Sequence, residues 1–169
     1  MNGKTKSELN SLWALGHRRV ITEIDRMPLV DIRDAIAAKK LIYSDFDYKN
    51  SVGWGVDLQS QLIESFLLNL PVQPLVVYYV NNCQIIIDGE QRVKTVCDFF
   101  GNKFSLWELS HWTELEGLYY DDLPQCMKRH LLNHRLSIEA ILFDEMAHGF
   151  DPDRINRTAY ERLNSFRTN

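Results

Sequence analysis

Cysteine is scarce in this chain and poorly placed for chemistry: there are three in 169 residues, Cys83, Cys97 and Cys126, with no Cys-x-x-Cys pair and no histidine pair spaced for zinc. That pattern points to reduced core thiols and away from a metal–thiolate site. No apolar run approaches the length of about 20 residues that crosses a bilayer. The start Met1-Asn2-Gly3-Lys4-Thr5-Lys6 lacks the apolar stretch of a secretory signal. The expectation is therefore a cytoplasmic protein with no membrane partner. Basic charge is also short, since 19 Lys and Arg against 23 Asp and Glu leave a net charge of -4 at pH 7. Non-specific coating of nucleic acid, which depends on displacing counterions with an excess of cations, is disfavoured, although a local basic face would still serve. There is no internal repeat, no HNH-type cluster and no compact set of nuclease carboxylates.

What is present suffices for a folded domain. With 45% hydrophobic residues the chain can bury a core unaided. Residues 7–15 have helical spacing and run out at Gly16, and His17-Arg18-Arg19 follows as an exposed loop or a phosphate contact. A second helix is expected from Pro28, with Leu29, Ile32, Ile36 and Ala37 on one face. These helices make residues 1–40 an N-terminal helical segment ahead of a main unit over 41–169, together forming one compact body. Residues 41–56 are aromatic, polar and glycine-punctuated, as in a loop that walls a pocket or plugs the core edge. Asp57 is positioned to cap a helix carrying Leu58, Leu62, Ile63, Phe66, Leu67 and Leu70, ended by Pro71.

The next runs, 75–80 and 83–87, read as strands joined by Asn81-Asn82, two residues that tolerate a tight hairpin turn. The second strand stops at Asp88-Gly89, and Val93, Val96, Phe99 and Phe100 then recur at helical spacing. A strand, a sharp turn and a helix opening on Glu90-Gln91-Arg92 form a place suited to an anion, because the first amides of a helix are unpaired donors at the positive end of its dipole. The plainer alternative is that Asp88 caps the helix and the polar residues are its solvated first turn. Downstream, Lys103–Leu106 reads as a short strand or extended linker, and 107–120 as an aromatic stretch without period. A helix over 123–133, a strand over 135–143, a loop over 144–150 and a last helix from Asp151-Pro152 complete the chain. The fold class is α+β.

The order of blocks carries a family resemblance. Trp54 closes the aromatic loop; Gln59-Ser60-Gln61-Leu62-Ile63-Glu64 and Asn69-Leu70-Pro71 follow; the hairpin leads into Asp88-Gly89-Glu90-Gln91-Arg92; and Tyr160-Glu161-Arg162-Leu163-Asn164 comes later. From about residue 41 onward the chain resembles the DGQQR-motif domain of modification-dependent (type IV) restriction systems, within the ParB/sulfiredoxin-like fold. The resemblance implies a small mixed sheet with surrounding helices that holds ATP or GTP with magnesium at the turn and couples it to DNA. Carried over by position, Asp88, Glu90 and Arg92 would be catalytic, with Asp88 and Glu90 serving the metal. Gly89, Gln91, Arg92, Thr95, Lys49 and Gln59 would bind nucleotide. Arg129, Arg135, Arg157 and Arg162, drawn from two basic stretches, are the candidates for DNA contact.

Three departures shape the expectation. Glu90 stands where the family has Gln, and a carboxylate beside a triphosphate repels it unless it serves a metal or acts as a base. This favours phosphoryl transfer to a hydroxyl, such as one on a modified DNA base. Asn50 replaces the family arginine of the aromatic loop, with Lys49 beside it. Family members continue past the Arg-Leu-Asn block into a long helical region and often a nuclease domain, whereas this sequence ends at Asn169, so cleavage by this chain alone is not expected. The two functions in view are a kinase or NTPase acting on DNA and an NTP-gated DNA sensor that hydrolyses only. A partner protein or a homodimer is compatible with either.

Overall fold

A computed structural model describes residues 5–17, 20–44, 53–143, 157–159 and 161–163. Five helices and five strands follow in order through them: α1 (Lys6–His17), β1 (Val20–Pro28), α2 (Leu29–Ala37), β2 (Leu41–Tyr43), α3 (Val56–Leu67), β3 (Leu75–Val80), β4 (Cys83–Asp88), α4 (Glu90–Phe100), α5 (Gln125–Asn133) and β5 (Arg135–Phe143). Short 3-10 turns occupy Thr113–Leu115 and Tyr120–Asp122, and residues 157–159 and 161–163 are helical.

The strands form one open mixed sheet in the order β1-β5-β3-β4-β2. β3 and β4 are the expected antiparallel hairpin, turned by Asn81 (φ 48°) and Asn82 (φ 64°). β5 runs parallel to β3, with Leu75 opposite Ile138, and β2 runs parallel to β4. β1 pairs antiparallel with the whole of β5, from Val20 opposite Phe143 to Pro28 opposite Arg135. One face of the sheet, through Val77, Ile86, Leu136, Ile138 and Ala140, packs on Leu29 and Ile32 of α2, Ile63 and Phe66 of α3, Val93, Val96 and Phe99 of α4 and Leu131 of α5. The other face carries a smaller cluster of Val76, Tyr78 and Ile87, onto which Leu163 of the C-terminal helical residues packs.

Several expectations are corrected by this arrangement. The N-terminal 40 residues are not only helical, because β1 lies between α1 and α2 and forms one edge of the sheet. Residues on both sides of position 40 thus share one sheet and one core. The aromatic loop begins with a strand, β2, on the opposite edge. α1 runs through Gly16 to His17. α3 is capped by Gly55 with no side-chain cap bond, so Asp57 sits in its first turn and does not cap it. Of the two alternatives for Lys103–Leu106 the linker holds and the strand does not, with Leu106 exchanging backbone bonds with Gly117 and Leu118. Of the thiols, Cys126 is exposed, and Cys83 and Cys97 are half-buried. The expected loop at 144–150 lies outside the described residues.

Candidate functional site

The turn after β4 is built by a bulge and a glycine. Val76 of β3 faces Asp88 while Val77 faces Ile86, so Ile87 is an extra residue that breaks the register just before the strand ends. Such bulges re-aim the side chains that follow. Gly89 then adopts φ +100°, a left-handed backbone that L side chains rarely take, and α4 starts at Glu90. A Cβ at Gly89 would meet Leu75 Cδ2 and come within 2.7 Å of Arg92 Nη2. Glycine is therefore required both by conformation and by space. No side chain caps the start of α4; Gly89 is its N-cap residue, so Asp88 does not act as the cap.

Asp88 is directed instead at Arg92, one helical turn on. Arg92 Nη2 donates to Asp88 Oδ2 at 3.0 Å and to the carbonyl of Pro74 at 3.2 Å, and Nη1 donates to Gln73 Oε1 at 3.4 Å. The two side chains are nearly buried, at 7% and 12% exposed. The planar fork thus binds the end of β4 and the segment leading into β3 to the first turn of α4, a geometry that suits arginine and that lysine could not reproduce. The guanidinium faces protein groups, so its observed role is to brace the turn.

The aromatic loop reaches the same turn. The Trp54 amide donates to Gln91 Oε1 at 3.2 Å across 37 residues of sequence, and Gly53 lies beside the same oxygen. Glu90 and Gln91 are half-buried at the head of α4. Thr95 is fully buried among the core-facing positions Val93, Val96 and Phe99, and its hydroxyl has no hydrogen-bond partner among the described residues. Gln59 is half-buried in the first turns of α3, with its amide bonded to Gly55. Lys49 and Asn50 lie outside the described residues. The structure therefore brings Asp88, Gly89, Glu90, Gln91 and Arg92 together with Trp54, and places Thr95 on the core side of the helix.

Among the described residues no group of three or more His, Cys, Asp or Glu side chains converges as a metal site. Magnesium is commonly held by one or two carboxylates together with substrate phosphates. The turn carries two carboxylates, Asp88, which is paired with Arg92, and Glu90, half-buried at the head of α4.

The basic candidates separate. Arg157 and Arg162 are exposed on the C-terminal helical residues, beside the cluster that Leu163 joins. Arg129 and Arg135 open onto a groove of about 630 Å³ whose lining also includes Arg26, His130, His134 and Asn69. Sequence reading missed Arg26, which reaches the groove from an unread strand, and Asn69, whose φ of 55° marks the turn after α3. It also missed Glu64, buried at 4% exposure, which accepts the amides of Ser110, His111 and Trp112 at 3.0, 2.8 and 2.9 Å. Burial disfavours the Glu64 charge, but the amides of Trp112, His111 and Ser110, with the His111 ring, outweigh it and hold the carboxyl below its usual range. Ser60, one turn earlier, accepts the Trp107 amide at 2.9 Å. Together they anchor the aromatic stretch that lacked any period.

The fold and site define a mixed α+β protein with an open five-stranded sheet and a braced strand-to-helix turn. No family model, curated protein or solved structure matches the chain.

Proposed function

We propose that this chain is a nucleotide-dependent phosphoryl-transfer protein acting on DNA, with a ParB/sulfiredoxin-like fold and its triphosphate, ATP or GTP with magnesium, at the Asp88–Arg92 turn. The observation that carries the reading is the Trp54–Gln91 bond, which closes the end of the aromatic loop onto the glycine-cornered start of α4. A backbone that approaches closely at Gly89, beside the positive end of a helix, suits phosphate oxygens. Glu90 supplies a base: the acceptor hydroxyl gives it a proton as the hydroxyl oxygen bonds to the γ-phosphorus. The bond from that phosphorus to its bridging oxygen breaks, and the nucleoside diphosphate leaves. Arg92 supports this chemistry by fixing Asp88 and the turn.

A second reading is favoured by the same arginine. With its fork turned onto Asp88, Gln73 and Pro74, Arg92 leaves transition-state charge to other groups. This suits an NTP-gated DNA sensor that hydrolyses without transfer. Incubation with magnesium and γ-labelled ATP or GTP, with and without normal or hydroxymethylated DNA, separates the two. Label on DNA supports the kinase, and free phosphate alone supports the sensor. Absence of nucleotide binding sinks both. Glu90→Gln should abolish transfer and spare binding; retained transfer removes Glu90 as the base.

A further inference from the structure

The groove beside α5 collects three arginines and two histidines in a chain of net charge -4. Arg26 comes from β1, Arg129, His130 and His134 from α5 and its end, Arg135 from the first position of β5, and Asn69 from the turn after α3. Among the described residues no Asp or Glu lines it, and none of the three arginines makes an ion pair. The carboxylate next in sequence, Asp25, accepts the backbone amide of Arg26 at 2.7 Å.

The arrangement is built from the framework. Sheet register places Arg26 opposite Ser137 and Pro28 opposite Arg135, and Arg135 Nη1 donates to the Arg26 carbonyl at 3.2 Å. The His134 carbonyl accepts the Leu29 amide at 2.9 Å, fixing the end of α5 against the start of α2. The His130 Nε2–H donates to the Phe66 carbonyl at 2.9 Å, since a carbonyl can only accept, which fixes that ring and leaves Nδ1 for a proton or a ligand. Arginine forks match phosphate oxygens in pairs, and several forks without a carboxylate partner on rigid elements suit a ligand carrying successive phosphates.

We infer that this groove binds the phosphodiester backbone of a nucleic-acid strand, through Arg26, Arg129 and Arg135 with His130, His134 and Asn69 along its wall. The inference stands on the groove alone and does not need the nucleotide reading. It does bear on it. Arg135 lies four positions before Glu139, which faces Val76, which in turn faces Asp88. At about 3.3 Å per residue and 4.8 Å per strand the groove is roughly 16 Å from the turn. One strand rising about 3.4 Å per nucleotide covers that in roughly five nucleotides.

The test is fluorescence anisotropy of end-labelled 15-nucleotide single strands and the matching duplex, with neither nucleotide nor magnesium, so that failure of the turn chemistry does not affect it. Binding should weaken linearly in log–log form with salt. The exposed triple variant Arg26→Gln/Arg129→Gln/Arg135→Gln should lose at least about 10-fold in affinity and about 2 from the salt slope on single strands. Asn69→Asp, which leaves every arginine in place, should weaken binding in the same direction. Circular dichroism and melting of each variant control for folding. No binding by the parent chain overturns the proposal, as does binding that the variants leave unchanged. Pyrophosphate binding, seen as shifts of the His130 and His134 ring signals, without strand binding also overturns it and reassigns the groove to small phosphate compounds.

Discussion

The backbone amide of Trp54 donates to Oε1 of Gln91 at 3.2 Å, joining two segments 37 residues apart at the start of α4. A part-buried bond of this kind contributes about 0.5–1.5 kcal/mol. Gln91→Ala should lower stability by that amount and speed amide exchange at Trp54 well beyond the change at core positions such as Val96. Unchanged exchange at Trp54 would show that the loop end is held by other groups.

Gly89 and Gly117 permit a controlled comparison. Both have positive φ, +100° and +82°, but a Cβ at Gly117 meets nothing within 4 Å, whereas one at Gly89 meets Leu75 and Arg92. Gly117→Ala should therefore cost only the left-handed backbone, about 1–2 kcal/mol. Gly89→Ala should cost clearly more and should also disturb the Arg92 bonds to Asp88 and Pro74. Urea unfolding of the two variants measures the difference, and equal losses would mean that Leu75 and Arg92 move aside freely.

The contrast between these sites bears on what could be read from sequence. The hairpin and α4 were legible because β-branched runs, Asn81-Asn82 and a helical period are local signals. β1 was not, because it is an edge strand with Ile21 and Ile24 exposed on its two faces, at 54% and 74%, so no period of two survives. The Asp88–Gly89 corner was legible as a turn, but the inward direction of Arg92 depends on Gln73 and Pro74, which no spacing rule connects to it. The groove was half legible: Arg129 and Arg135 belong to a visible basic stretch, while Arg26 joins Arg135 across 109 residues through sheet register alone. Glu64 gave no signal, since a buried acid on an apolar helix stripe reads as one more polar position.

Glu64 also gives a stability signature. Its folded carboxyl titrates below the usual glutamate range because backbone amides of residues 110–112 and His111 outweigh burial. A depressed folded value means that the stabilisation is fully present above the unfolded value of about 4.3. It declines as pH falls below that and is lost as pH passes through the folded value. Glu64→Gln should flatten this part of the stability–pH curve and destabilise the chain at pH 7, because an amide replaces a charged acceptor of three N–H groups. Melting temperatures from pH 3 to 7 provide the check; parallel curves for parent and variant would remove Glu64 as the source.

His134 makes the groove sensitive to pH in the opposite sense. Burial, and then the neighbouring His130, push its imidazole below the usual histidine range, so the folded chain without ligand disfavours its protonation. Among the described residues the charged or titratable groups lining the groove with it are Arg26 from β1, Arg129 and His130 from α5 and Arg135 from β5, with the Cys126 thiol on the same lining and the Phe66 ring tilted against it at 4.9 Å. Without an anion, burial and His130 oppose its protonation. A phosphodiester in the groove reverses the balance and raises the His134 value, so binding takes up a proton as pH falls. Strand affinity should therefore rise between pH 7.5 and pH 6, beyond the change shown by His134→Gln measured in parallel. The ring sits against Phe66, so that variant is first checked by melting. Proton uptake can be read independently from the dependence of the binding heat on buffer ionisation. Affinity that is flat with pH in the parent, or that rises equally in the variant, would place the bound phosphate away from α5.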